Sequence, residues 1–551
     1  MSEYVPITFE KNNLLEYITE TINNYPDRTA VVTDNGSVKK TFGEVNKRAN
    51  QLVHYLAGLG VGKGDRVAIF QNNCWQYLEQ YLAILKLGAI CVPMNFRLKS
   101  PEALFILNES GAKTLILEKR YIPIFEPTLS YQLGVTNYLC TGDGDCPEWA
   151  VDYETTLSRE TGDEPEMPDL ILDDIVAICF TSGTTGLPKG SIATHRQLMT
   201  NIYGELGDLI DDTVPPDLGY HVVMMIIPVY HIAGIGILYV GMKYGYTIVV
   251  STDFVPEAFM QTVERERVSM CYLVPIMFFF IIHDPSFGKY DLSNLRFVFY
   301  GAMPMAPDLL LDILKKFPPG IKYMDAFGST ELCINIAKLP EDHDLTGSDE
   351  EVKKKIARLK GIGRPLRYGI ESTILDPFGK EVATGEVGEI VSRGEKVTPG
   401  YWRNPEATAK AFDKNGWFHT GDAGWMDEDG YVYFADRAKD MINRGGENIF
   451  PVEVERRINQ HPKVTESAVF GVPDPAWGSR VIAAVVLAPG ETAETAPEEE
   501  LIGFCKEQLA SYKAPSAIWY IDQLPRRFEL GKVMRFMLRD EYMKEREADI
   551  S

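Results

Sequence analysis

The eight cysteines, at 74, 91, 140, 146, 179, 271, 333 and 505, form no C-x-x-C pair, and Cys179 sits in an apolar run between Ile178 and Phe180. This argues against a disulfide framework and predicts reduced, mostly buried thiols in a cytoplasmic protein. Met1-Ser2-Glu3-Tyr4 starts no basic segment followed by an apolar core, so no signal peptide is expected. Positive charge is in deficit: 55 Lys and Arg face 78 Asp and Glu, a net charge of −23. Such a surface excludes nonspecific binding to nucleic acid or to anionic membranes. A phosphate-bearing ligand must then be held by a few local basic residues and by backbone N–H groups. Internal repeats and low-complexity tracts are absent. Uncharged runs long enough to cross a bilayer are scarce, and the segment 222–242 is the one that needs care. Pro228, His231 and three glycines interrupt it and no basic cluster flanks it, so it reads as a buried strand plus helix rather than a membrane span.

What is present is a soluble, globular composition, 45% hydrophobic and 24% charged, in a 551-residue chain too long for one core. Thr41-Phe42-Gly43-Glu44 has the spacing of a helix capping box. Phe42, Val45, Ala49, Leu52, Val53 and Leu56 then recur with helical period. Short apolar strands at 67–70 and 88–93 bracket a helix near 78–87, and the alternation continues through strands at 174–180, 222–227, 247–250 and 297–300. Apolar strands separated by helices predict an α/β fold: a large N-terminal domain whose parallel or mixed sheets are covered by helices. The texture changes near Asp436. Strands at 467–472 and 481–487, and a helix opening at Thr495-Ala496-Pro497-Glu498 with Thr as cap and Pro in the first turn, predict a small α+β domain. The expected division is 1–435 and 436–551. Positions 338–360 read as a charged insertion, part loop and part surface helix, and 491–500 as a solvated acidic loop.

The strand ending at Phe180 leads into Thr181-Ser182-Gly183-Thr184-Thr185-Gly186-Leu187-Pro188-Lys189-Gly190. Gly183 and Gly186 let the backbone approach an anion, the hydroxyls of Thr181, Ser182, Thr184 and Thr185 can donate, and Lys189 adds a cation. Together they suit a polyphosphate. Gly-Lys-[Ser/Thr] is missing, so this is not a Walker A loop. Further along come Tyr300-Gly301-Ala302-Met303-Pro304, Tyr323-Met324-Asp325-Ala326-Phe327-Gly328-Ser329-Thr330-Glu331, Thr420-Gly421-Asp422, Asp436-Arg437-Ala438-Lys439-Asp440, Gly445-Gly446-Glu447-Asn448 and Pro525-Arg526-Arg527-Phe528-Glu529-Leu530-Gly531-Lys532.

These motifs, in this order from Thr41 to Arg535, resemble those of the adenylate-forming superfamily of acyl-CoA synthetases, aryl-CoA ligases, luciferases and peptide-synthetase adenylation domains. The resemblance implies that the loop from Thr181 to Lys189 folds over the β- and γ-phosphates of ATP. It implies that Gly301 and Ala302 line the adenine and acyl site, and that Asp325, Ala326, Phe327 and Gly328 belong to the nucleotide site, with Phe327 on adenine where many members have Tyr. Thr330 would touch the α-phosphate and Glu331 would hold Mg²⁺. Asp422 would accept both ribose hydroxyls, a match between one carboxylate and a vicinal diol. Arg437 would reach the ribose, Lys439 would be the pivot of a hinge at 436–440, and the C-terminal domain would be mobile. Lys532 would bridge the substrate carboxylate and ATP, with one residue more after Pro525 than many members have. Pro228-Val229-Tyr230-His231 resembles the segment that sets His231 beside the substrate carboxylate.

The implied reaction is AMP-forming acyl-CoA synthesis. A carboxylate attacks ATP, pyrophosphate leaves, and the acyl-AMP passes its acyl group to coenzyme A through a channel lined by Gly445 and Gly446, where glycine leaves room for pantetheine. ATP, Mg²⁺ and coenzyme A are the expected cofactors and a small carboxylic acid the partner; a homodimer is left open. Acetate-specific members carry Trp where this chain has Gly328. Gly328, with Gly234, Gly236 and Gly301, therefore suggests room for a medium-chain, alicyclic or aromatic acid. The rivals are transfer to a carrier-protein phosphopantetheine and a non-catalytic nucleotide or acyl binder that kept the fold.

Overall fold

The computed structural model describes residues 4–130, 134–181, 187–303, 305–376, 378–386, 388–437, 442–449, 451–525, 533 and 535–550. The chain divides into two compact units. One comprises Met1–Phe96, Leu107–Phe180 and Gly190–Asp436; the other comprises Arg97–Ile106, Thr181–Lys189 and Arg437–Ser551.

The larger unit is a mixed α/β body built on a nine-stranded and a seven-stranded sheet, with a four-stranded sheet beside them in sequence. In the nine-stranded sheet, Val222–Met225, Thr247–Val250, Met270–Leu273, Phe297–Gly301 and Lys322–Ser329 run parallel to their neighbours. The first four are buried at every position, as expected where both faces of a parallel sheet are covered. The chain then turns back as Cys333–Lys338, antiparallel to Lys322–Ser329. The helix Phe42–Gly58 begins at the predicted capping box: Thr41 Oγ1 accepts the Glu44 N–H at 3.2 Å and Glu44 Oε2 accepts the Thr41 N–H at 2.8 Å.

The uncharged segment 222–242 divides into the strand Val222–Met225 and the helix Ile232–Tyr244, and among the described residues no helix is long and apolar enough to cross a membrane. All eight cysteines are free thiols, six of them buried. Burial pushes the Cys91 and Cys271 thiols up to about 12, which keeps them protonated and inert.

The smaller unit centres on Val464–Asp474 and Gly478–Leu487, paired antiparallel, with Ala517–Tyr520 added parallel. Period-two alternation sends Val469, Val481, Ala483 and Val485 to one core with Val454, Ile458, Leu501 and Cys505. Ala468, Phe470, Ile482 and Ala484 go to the other face, with Leu538 and Tyr542 from the helix Arg535–Ile550.

Two local expectations need correction. The helix expected to be capped by Thr495 begins at Glu498 with Pro497 as its N-cap. A residue before proline avoids the helical region, so Ala496 cannot join the helix, and the Thr495 hydroxyl bonds Glu491 at 2.6 Å instead. Within the charged segment 338–360, Lys338 is not at the surface. It ends the strand Cys333–Lys338, is 2% exposed, and its ammonium meets Asp325 at 2.8 Å and the carbonyls of Leu359 and Gly361 at 3.0 and 2.8 Å.

Three buried imidazoles make the fold sensitive to acid. His195 Nδ1 accepts the Leu14 N–H, His221 lies among Ser269, Thr213 and the Ile210 carbonyl, and His343 joins the Tyr300 hydroxyl to the Leu339 carbonyl. Burial holds all three down at about 4. In the unfolded chain they titrate near about 6.5. A depressed imidazole contributes stability above the unfolded value and loses it as pH falls toward the folded one. We expect the urea midpoint to fall between pH 7 and pH 5, as the unfolding free energy drops by about 1–2 kcal/mol per imidazole. His343→Gln should flatten that slope, and equal midpoints at the two pH values would contradict the assignment.

Candidate functional site

The ends of the parallel strands Phe297–Gly301 and Lys322–Ser329 carry the first group of candidate residues. They run in register, Tyr300 beside Asp325 and Gly301 beside Ala326. A side chain at Gly301 would put its Cβ 2.3 Å from the Ala326 carbonyl oxygen, so glycine lets the two backbones meet. Ala302 follows with φ +66°, a left-handed conformation that costs alanine about 1–2 kcal/mol. Below this turn Tyr300 is anchored by its hydroxyl, 2.7 Å from His343 Nε2. Asp325 is buried and its carboxylate is engaged by Lys338, while burial raises its pKa against the pull of that lysine.

After Ala326 the register slips between Phe327 and Gly328. The half-buried Phe327 packs on Ile336, Ile374, Ile390 and Val432, which fixes the plane of its ring. Gly328 is obligatory, because a Cβ there would lie 1.6 Å from the Cys333 carbonyl oxygen. This corrects the steric reading of the glycines. Gly301 and Gly328 accommodate backbone, and so does Gly234, whose Cβ would lie 2.4 Å from the Pro228 carbonyl oxygen. Gly236 faces open space.

Thr330 and Glu331 form the turn into Cys333–Lys338. Glu331 Oε1 accepts the Tyr401 hydroxyl at 3.0 Å. Its backbone carbonyl accepts the Thr398 N–H at 2.7 Å and the amide of the buried Gln197 at 3.1 Å. No cluster of three or more His, Cys, Asp or Glu that could hold a metal occurs among the described residues. A lone carboxylate fits magnesium, which takes one or two carboxylates and fills its octahedron with phosphate oxygens and water. An all-protein calcium cage would need more oxygens than this turn offers.

The phosphate-loop candidates fall partly outside the described residues: Ser182, Gly183, Thr184, Thr185 and Gly186 do, while Thr181 and Lys189 do not. Thr181 ends the strand Ile175–Thr181, Lys189 begins Lys189–Thr194, and these strands are neighbours in the seven-stranded sheet. Lys439 and Lys532 also lie outside the described residues. Arg437 ends the strand Val432–Arg437, its side chain not among those described.

Thr420-Gly421-Asp422 lies within the strand Phe418–Met426 rather than in a separate turn. Gly421 takes φ +74°, and pairing with Gly388–Arg393 shifts register there. Glu389 holds the kink: Oε1 accepts the Gly421 N–H at 2.8 Å and Oε2 meets His419 Nδ1 at 2.8 Å. The Thr420 hydroxyl donates to the Ile390 carbonyl at 2.7 Å and accepts the Asp422 N–H at 3.0 Å. The half-buried Asp422 is therefore presented by a fixed backbone.

His231 precedes the helix Ile232–Tyr244, its ring 4.4 Å from that of Tyr230, which in turn meets Phe96 edge-on at 5.6 Å. The buried Asn73 pins the approach to His231: its amide donates to the carbonyls of Ile227 and Ser251, and its oxygen accepts the Val229 N–H at 3.0 Å. In the smaller unit, Gly445 and Gly446 are the two-residue turn between Ile442–Arg444 and Glu447–Ile449, with φ +61° and +89°. Such a turn demands positive φ at both centres. A Cβ on Gly445 would strike the Trp477 ring at 2.7 Å. The turn thus supplies its own reason for two glycines. Glu389, Tyr401, Gln197 and Asn73 were not visible in the sequence, since each acts through a partner far away along the chain and no short spacing marks it.

Comparison with known proteins adds to this geometry. The AMP-binding enzyme family matches residues 18–402, and the AMP-binding enzyme C-terminal domain matches residues 453–529. The feruloyl-CoA synthase of an Amycolatopsis species is 35% identical over 503 residues, covering 91% of this chain and 93% of the relative. The fatty acid–[acyl-carrier-protein] ligase ScoC of Streptomyces coeruleorubidus is 32% identical over 511 residues, 91% of each chain. Among solved structures, the amide bond synthetase McbA from Marinactinospora thermotolerans superposes with a TM-score of 0.83 at 26% identity, covering 96% of this chain and 99% of that one. With a family match over most of its length and relatives above 30% identity along nearly all of it, the chain belongs to the AMP-binding enzymes, the adenylate-forming ligases.

Proposed function

We propose that this ligase activates a medium-chain, alicyclic or aromatic carboxylic acid with ATP and transfers the acyl group to coenzyme A in the cytoplasm. The observation that carries the reading is the turn at Thr330-Glu331, where one magnesium-competent carboxylate, held at both ends, leaves the strand that bears Phe327. Similarity to a feruloyl-CoA synthase supports an aryl or larger acid over acetate. The aromatic trio Phe96, Tyr230 and His231 and the open space at Gly236 support it too.

In this mechanism the acid's carboxylate oxygen attacks the α-phosphorus of ATP, the bond to the β-phosphate oxygen breaks, and pyrophosphate departs. Attack of anion on anion needs local neutralisation in an acidic protein. Glu331 would hold magnesium, which would supply Lewis acidity to the phosphate oxygens. Lys189 and the loop 181–186 hold the β- and γ-phosphates, Thr330 holds the α-phosphate, and Lys532 stabilises charge between acid and nucleotide. Phe327 stacks on adenine beside Gly301 and Ala302, while Asp422, presented by Glu389, and Arg437 hold the ribose. His231 orients the acid. The proposed domains are 1–435 and 436–551, the second turning about Lys439 between half-reactions. Gly445 and Gly446 then serve the step in which the coenzyme A thiolate attacks the acyl carbonyl and AMP leaves.

The test is mass spectrometry of products from the purified protein with ATP, Mg²⁺ and a pool of competing acids, with and without coenzyme A. One dominant acyl-CoA plus AMP supports the reading. Acyl-AMP that ignores coenzyme A would redirect it to a carrier-protein or amine acceptor, the chemistry named for the ScoC and McbA relatives. Lys532→Ala should abolish adenylation yet still form thioester from supplied acyl-AMP, measured as separate half-reactions; equal loss of both would remove that role. Gly328→Ala should lower kcat/KM for small and large acids alike, because its Cβ meets backbone and not substrate. Selective loss of the larger acids would restore the pocket-filling argument.

A further inference from the structure

Glu331 is gripped at both ends by one short segment. Thr398 donates its N–H to the Glu331 carbonyl at 2.7 Å, and three residues later the Tyr401 hydroxyl donates to Glu331 Oε1 at 3.0 Å. That segment is itself fastened to Lys189–Thr194, the strand that follows the phosphate loop. Ser191 and Tyr401 form an antiparallel bridge, the Trp402 N–H donates to the Gly190 carbonyl at 2.7 Å, and the Ile192 N–H donates to the Gly400 carbonyl at 3.1 Å. The Thr398 hydroxyl closes the same seam on the Ile192 carbonyl at 2.7 Å, and the Tyr401 N–H is taken by Thr408 Oγ1 at 3.0 Å. The half-buried tyrosine therefore has its backbone tied on both sides, and its hydroxyl has a fixed address.

We propose that Tyr401 is a positioning residue that turns one oxygen of Glu331 away from the metal, so that the carboxylate binds through a single oxygen and favours magnesium over calcium. The proposal rests on the reading of Glu331 as the magnesium ligand. A chelating carboxylate must present both oxygens to the cation, and the Tyr401 hydroxyl already engages one lone pair of Oε1. Magnesium accepts one-oxygen carboxylates in a small octahedron, whereas calcium takes six to eight oxygens and often chelates a carboxylate. Hydrogen bonds to charged groups are the stronger kind, which lets one hydroxyl hold a carboxylate rotamer against a cation's pull.

The test is calorimetric titration of MgCl2 and CaCl2 into the full-length protein saturated with a non-hydrolysable ATP analogue, alongside thermal unfolding. Tyr401→Phe should weaken magnesium binding by about tenfold while leaving calcium within about twofold, collapsing the preference. Glu331→Asp, too short to reach the tyrosine, should collapse it likewise. Tyr431→Phe, which removes a buried phenol bonded to Asp342, should keep the wild-type ratio. If Glu331→Gln loses magnesium but Tyr401→Phe keeps the wild-type ratio, the tyrosine is only structural and the proposal falls. If Glu331→Gln keeps full magnesium affinity, the reading of Glu331 falls and takes the proposal with it.

Discussion

Backbone meeting backbone is the constraint on which the site depends. Gly301 against the Ala326 carbonyl, and Gly328 against the Cys333 carbonyl, are approaches that no side chain permits. They let Phe297–Gly301 and Lys322–Ser329 end level, and they let the chain reverse within four residues into Cys333–Lys338. Four of the residues proposed for the nucleotide leave from that edge: Ala302, Phe327, Thr330 and Glu331. Interiors are packed like crystals and do not yield by fractions of an ångström cheaply, so these glycines fix the positions of side chains they never touch.

The second constraint is electrostatic. A chain of net charge −23 that handles a polyphosphate cannot rely on its overall field. Several of its buried charges are accordingly met by opposite charge: Asp325 by Lys338 beneath the site, Glu79 by Arg48, and Lys513 by Glu102 and Glu453. Buried pairs add little net stability but penalise any arrangement that separates them. The pairing of Asp325 with Lys338 locks adjacent antiparallel strands in register directly below Phe327. The carboxylates proposed to meet ligands, Glu331 and Asp422, are instead only half buried, and Glu331 accepts the Tyr401 hydroxyl.

Much of this was legible in the sequence, and the part that was not has a physical reason. Apolar strands alternating with helices gave the α/β class, and the capping box at Thr41 gave a helix start to the residue, because both signals are local. The ordered motifs gave the family. Glycine was harder to interpret. At 234, 301 and 328 it was taken as room for substrate, yet it serves the backbone; at 445 and 446 it was taken as room for pantetheine, yet the turn requires positive φ. A missing side chain looks the same in a sequence whichever neighbour demands its absence. Partners were hidden more completely. Glu389 under Gly421, Asn73 under Val229 and Tyr401 against Glu331 are separated from what they hold by dozens of residues or more.

The relatives suggest why the adenylation machinery is so readable and the acceptor is not. A CoA synthase, a carrier-protein ligase and an amide bond synthetase each align along more than nine-tenths of this chain, at 26% to 35% identity. Three named products on one scaffold mean that most of what they share serves the common first step and the fold. Activation of a carboxylate demands a fixed constellation, since charge must be neutralised at the same atoms whatever the acid. Interception of a mixed anhydride demands only that a nucleophile arrive, because the leaving group is already good. Selection of the acceptor can therefore be carried by few positions and revised without disturbing the edge where Phe327 and Glu331 stand. The acid side chain follows the same logic. Gly236 and the rings of Phe96 and Tyr230 lie outside the backbone-locked glycines, so on the proposed reading the acid's pocket can change shape there while the strand ends at Gly301 and Ser329 stay level.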